Sequence, residues 1–233
     1  TSYVRQGERL ETSGNDVANT AVAMLALSRS GSTPSAGPYR DASRRGLEFI
    51  LRNVEQSNEE GLAITRVQGT QIQRKLGPHI DTFLTSMLLS ELDGTLSDGQ
   101  LNRRVRASLG KVVRKIEKNQ LADGSWNISG GWAPILGTSM ASRSLDNARQ
   151  KGVKVDERVV ARVDDYTKNA QKAQAEGGGG GTGRTRGSFG GVAASASPVA
   201  VYADAQALEQ LSRTEKDRQA NAPTIRAIQG KLR

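Results

Sequence analysis

Gln120-Leu121-Ala122-Asp123-Gly124-Ser125-Trp126 closes a long basic amphipathic segment, and its reading decides the fold. Upstream of it, Val105, Leu109, Val112 and Ile116 recur at helical spacing and form one apolar stripe. Arg104, Lys111, Lys115 and Lys118 fall on another face, which is expected to lie in water. Gly124 supplies a stop, because glycine adopts without steric cost the left-handed conformation that ends many helices. At the other end Ser97 with Gln100 reads as a capping box, so a helix is predicted over about 98–120.

Working outward, further helices are predicted at about 16–30, 40–56, 78–92, 137–151, 156–172, 197–212 and 214–231, four hairpins in all. Asp156 and Ser197-Pro198 supply start signals, and Gly31, Gly94 and Gly152 supply stops. The segment after Pro78 carries Ile80, Phe83, Leu84, Met87, Leu88 and Leu92 around much of its girth, so it must be buried on more than one side. The segment after Asp16, with its run Ala21 to Leu27, is expected to fill an interior in the same way. Thr20, Thr82 and Thr138 mark the starts of three such apolar helices, 62 and 56 residues apart, and Ser197 begins a fourth about 59 later. Each is followed by a charged amphipathic helix. A period near 60 with this alternation is the expected pattern of an all-α chain folded as an α/α toroid, closed or partial, with inner helices packed by outer ones. The expected organisation is an N-terminal arm over 1–14, helical repeats over 15–173, a glycine-rich arm over 174–196 and a C-terminal hairpin over 197–233 that completes the toroid.

Two fragments carry a family resemblance. Gln120, Gly124 and Trp126 resemble the QW motif of squalene and hopene cyclases, and Asp16-Val17-Ala18-Asn19-Thr20-Ala21 resembles the Asp-x-Asp-Asp-Thr-Ala helix of the same enzymes. Arg45 to Leu51 followed by Glu60-Gly61-Leu62 looks like a degenerate copy without the tryptophan. The resemblance, to the terpenoid-cyclase and protein-prenyltransferase repeat family, implies that the Trp packs against the following repeat and the Gln satisfies backbone groups at a helix end. The family's chemistry does not carry over. Ala18 stands where the resemblance places the proton-donating aspartate, and Asn19 follows it in place of a carboxylate. Asp16 remains, and at a helix start it is expected to act as a cap. The prenyltransferase zinc site needs Cys, which is absent, and Asp164-Asp165 has Lys168 where a third magnesium-binding carboxylate would stand. No cofactor is implied.

Composition narrows the partners. The 33 basic and 24 acidic residues give a formal charge of +9, which favours anionic partners. Aromatics make up only 4% of residues, which weighs against base-stacking on nucleic acid and against an aromatic-lined hydrocarbon pocket. The longest apolar run, Ala21 to Leu27, is too short to span a membrane. Thr1 to Arg5 lack the apolar stretch of a signal peptide, and the absence of cysteine favours a periplasmic or secreted protein over a cytosolic one.

Among other candidates, His79 at the start of an apolar helix could act as a general base with Tyr39 or Tyr166 as acid. Its bland reading is a helix cap or a histidine bonded to Asp81. Gly178 to Thr185 mimics a phosphate-binding loop but lacks the lysine, the preceding strand and the following helix, so that reading is dismissed. Gly177 to Gly191 cannot build a core; Arg184 and Arg186 with Phe189 are expected to grip a protein partner or a second copy, and Trp132 on its Gly-rich loop could join them. The leading expectation is a non-catalytic scaffold or interaction subunit. An enzyme acting on an anionic polysaccharide or isoprenoid is the first rival. A binder of nucleic acid or anionic lipid through the Arg104–Lys118 face is the second.

Overall fold

The computed structural model describes residues 3–6, 9–12, 16–126, 134–176, 208, 211–212 and 215–231. They are predominantly helical, and they fall into two compact units, Thr1–Val159 and Val160–Arg233.

The first unit opens with an antiparallel hairpin, β1 (Tyr3–Gln6) and β2 (Arg9–Thr12), in which Tyr3 faces Thr12. Helices follow: α1 (Val17–Arg29), α2 (Arg40–Gln56), α3 (Gln71–Leu76), α4 (Ile80–Leu92), α5 (Gly99–Lys118), α6 (Pro134–Gln150) and the first turn of α7 (Glu157–Glu176). α4 lies between α1 and α6, while α2 packs beside α1 and α5 beside α4. α2 and α5 also touch each other, so α1, α4 and α6 form one row and α2 and α5 a second.

Residue chemistry explains the rows. Along α4 every residue except Glu91 is buried, which suits a helix with neighbours on all sides. α5 buries Val105, Leu109, Val112, Val113 and Ile116, and α2 buries Ser43, Leu47, Ile50, Leu51 and Val54. Each member of the second set stands 62 residues before its counterpart in the first, the spacing from Thr20 to Thr82. Gly46 permits the close approach of α2 to α1: a Cβ there would sit 2.8 Å from the Met24 sulfur.

Several expectations are corrected. α1 is buried on one side only, through Val17, Ala18, Ala21, Met24 and Leu25; Val22, Ala23 and Ala26 are exposed, so this helix ends the row. α5 is capped by Asp98, whose carboxylate accepts from the Gln100 and Leu101 N–H groups; the Ser97 backbone N–H instead donates to Ser35. α6 begins at Pro134, since proline at a first turn lacks only an N–H that has no helical partner. α3 lies in a stretch assigned no structure from sequence.

The second unit contains α8 (Glu215–Ala220) and α9 (Ala222–Lys231), where a single helix was expected. The break falls at Asn221, whose amide donates to the Leu211 carbonyl, and Pro223 cannot continue the preceding ladder. Leu211, Ile225 and Ile228, with Leu208, form its small core.

Candidate functional site

Polar side chains converge where α1, α3 and α4 begin. The first N–H groups of any helix lack intrahelical partners and carry the positive end of its dipole. At α1 two carboxylates meet that need. Asp16 accepts from the Asn19 N–H at 2.7 Å and from the Asn19 amide at 2.7 Å. Asp81, from α4, accepts from the Ala18 N–H at 3.0 Å. Its other oxygen accepts from Gln73 at 2.7 Å, and Gln73 is itself fixed by a reciprocal capping box with Thr70 and by donation to the Val67 carbonyl. Asp81 is only 2% exposed. Burial pushes its carboxyl up to about 6, the negative charge of Asp16 adds to the rise, and the Gln73 and Ala18 hydrogen bonds oppose it.

His79 occupies the N-cap position of α4, but its side chain makes no capping bond and its buried Nδ1 has no hydrogen-bond partner. Burial holds the imidazole below its ordinary value of 6.5. The expected bond to Asp81 does not form, because both Asp81 oxygens already face Gln73 and α1. Gly37 lies against Gly31 and Ser32, so Tyr39 opens α2 beside the far end of α1, about 16 Å along that helix from the Ala18–Asp81 contact. It therefore cannot serve as an acid to His79. Tyr166 belongs to the second unit.

A second set of contacts joins successive repeats. Trp126 is buried; its indole N–H donates to the Ile116 carbonyl in the last turn of α5 at 2.7 Å, and its backbone N–H to the Thr138 hydroxyl at 3.2 Å. Gln120 donates to the Gly124 carbonyl and to Val159 in the first turn of α7, each at 3.0 Å. Gly124 has φ of 90°, the left-handed turn that brings Trp126 back beneath the helix. In the preceding repeat the buried Leu62 offers its carbonyl to the Thr82 hydroxyl at 2.8 Å. Thr82 and Thr138 thus each hold the loop that follows the preceding amphipathic helix.

No protein-family model, curated protein or solved structure matches this chain.

Of the four α5 cations expected in water, Lys118 is exposed, but Arg104 and Lys111 are half-buried and Lys115 is enclosed. Arg104 Nη1 donates to both Glu48 oxygens at 3.0 Å, and its Nε to Glu55 at 3.0 Å. Lys111 donates to the Ser57 carbonyl at 2.6 Å, Lys115 to the Asn58 carbonyl at 2.7 Å and Lys118 to Glu60 at 3.1 Å. Lys115 is fully buried, and burial pushes its ammonium below the ordinary lysine range, with Lys111 adding to the fall. The reason is the acidic end of α2 and its loop, which lie alongside.

Trp132, Arg184, Arg186 and Phe189 lie outside the described residues. Among the described residues no three His, Asp or Glu side chains converge as a metal site, and no helix is long and apolar enough to cross a membrane. Sequence reasoning missed Gln73 and the role of Asp81. The Thr70-Gln71-Ile72-Gln73 pattern, a capping box, was the available signal for α3 and hence for Gln73.

Proposed function

We propose that this chain is a non-catalytic helical-repeat scaffold, an interaction subunit built on repeats of the squalene-cyclase and prenyltransferase type and arranged as an α/α toroid. One observation carries the reading. The polar groups at the helix starts, where a family enzyme would hold its acid, are engaged in structural contacts: Asp16 caps its own helix through Asn19, Asp81 ties α4 to Ala18 of α1 and Gln73 of α3, and Thr82 holds the loop carbonyl of Leu62. Burial raises the Asp81 pKa, but the group is enclosed and both its oxygens accept from protein donors, which supports a positioning role. The rival reading, turnover of an anionic polysaccharide or isoprenoid, draws on the unpartnered His79 Nδ1. Binding of nucleic acid or anionic lipid through Arg104 to Lys118 draws little support, since those cations are held by α2 and its loop.

The test is purification from the native source under mild conditions. A near-stoichiometric companion is expected. A protein that purifies alone, and that turns over a prenyl diphosphate or a uronate polymer in a manner abolished by His79→Ala or Asp81→Asn, would overturn the scaffold reading.

A further inference from the structure

The register that superposes the buried stripes of α2 and α5 also superposes their flanks. Lys111, Lys115, Lys118 and Asn119 of α5 stand 62 residues after Phe49, Asn53, Gln56 and Ser57. On α5 this flank is filled: it donates to Glu55, Ser57, Asn58 and Glu60 at the end of α2 and in the loop beyond. On α2 the same positions line two adjoining open grooves of about 800 and 480 Å3, which share Asn53 and Gln56. Arg45 and Arg52 rim the first groove and Arg66 the second. All three are exposed, and among the described residues no carboxylate pairs with them. The acids nearest to hand are engaged, Glu48 with Arg104 and Asp41 with Arg40.

Building on the scaffold reading above, we propose that this flank of α2 docks an acidic helix, together with the loop that follows it, from a partner protein. The last carbonyls of a helix lack intrahelical donors and carry its negative end. The Gln56 amide, and the second N–H of the Asn53 amide whose first donates to the Phe49 carbonyl, stand where α5 uses donors to grip such carbonyls. The arginines supply forked donors for carboxylates, and the half-buried Phe49 gives the groove an apolar floor. A single aromatic offers no run of stacking platforms, so a protein helix fits the groove better than nucleic acid.

The probe is a fluorescently labelled, stapled peptide of residues 47–62, the acidic helix end and loop that α5 itself grips, titrated onto the full-length protein. Saturable binding with a micromolar Kd is expected. The double variant Arg45→Glu/Arg52→Glu, with circular dichroism unchanged, should weaken it at least about tenfold. Arg114→Glu, the α5 counterpart of position 52, should leave it intact. Failure to saturate by roughly 1 mM peptide, or equal weakening by Arg114→Glu, overturns the proposal. Self-association that the double variant abolishes would assign the flank to a second copy, and displacement of the peptide by a single-stranded oligonucleotide would assign it to phosphate; either outcome overturns it. A native companion that the double variant retains would remove this proposal and leave the scaffold reading standing, whereas a protein that purifies alone and turns over substrate in a manner abolished by His79→Ala would remove the scaffold reading.

Discussion

Truncating Trp126 to alanine tests the join between the second and third repeats. The indole is 3% exposed, and removing a buried side chain of this size costs about 3–5 kcal/mol through lost burial and the cavity left behind. The same change strips the donor from the Ile116 carbonyl, bonded at 2.7 Å in the last turn of α5. A buried acceptor left without its donor adds about 1–3 kcal/mol. The two terms overlap where the loop relaxes, so the expected total is about 4–6 kcal/mol. Trp126→Phe separates them, because it keeps much of the ring and loses only the N–H; its expected cost is about 1–3 kcal/mol. Guanidinium unfolding followed by far-ultraviolet circular dichroism is the assay, since the chain has only two tryptophans and the variant removes one fluorophore. The two compact units call for a fit that allows two transitions, with the loss expected in that of the first unit. A cost under about 1 kcal/mol for alanine, the range of an ordinary surface change, would refute the view that this ring anchors the repeat.

Asp81 should leave a signature in the pH dependence of stability. Its carboxyl, raised from 3.8 to about 6 in the fold, binds a proton more tightly folded than unfolded, so its contribution falls as pH rises from about 4 to about 6. The wild-type stability minus that of Asp81→Asn should therefore drop by about 3 kcal/mol across that window in urea titrations; a flat difference would contradict the burial argument. His79 is the one histidine of the chain, and its imidazole should titrate below 6.5 by NMR; a value at or above 6.5 would contradict its burial. Thr82→Val orphans the Leu62 carbonyl and should cost about 1–3 kcal/mol in chemical denaturation, with a null effect arguing against the junction. Lys115→Met should be neutral or stabilising by about 1–4 kcal/mol in thermal melts, because it removes a buried charge whose acceptor Asn58 is exposed to water; a large loss would show that the ammonium is indispensable.

Legibility in the sequence followed the physics of each feature. The stripe from Val105 to Ile116 and the all-round apolarity of α4 were readable, because burial imposes a period that composition cannot hide. The same periodicity placed Lys118 in water correctly but misassigned Lys111 and Lys115: it locates the polar face but says nothing of what lies opposite, and Glu48, Glu55 and Glu60 approach that face from a segment some 50 residues earlier. α1 misled in the other direction, since small apolar residues such as Ala23 and Ala26 fit an exposed helix as well as a buried one. Asp16 was recognisable as a cap because its partner Asn19 is local. Asp81 was not, because its partners Ala18 and Gln73 are brought to it by packing and by a short helix with too few apolar residues to announce itself.

Beside the carboxylate contacts of Arg104, Lys118 and Asp81, many of the bonds around the repeat junctions share a property with a consequence for how such a chain can change over generations. Thr82, Lys111, Lys115, Asn119, Gln120 and the Trp126 indole all address main-chain oxygens. Every amino acid carries that oxygen, so for these bonds the receiving segment can drift in identity without breaking them, and selection falls on the donor. Copies of the unit are thereby free to diverge almost everywhere while still clasping one another. A lineage built this way keeps its architecture long after its letters have ceased to resemble those of its kin.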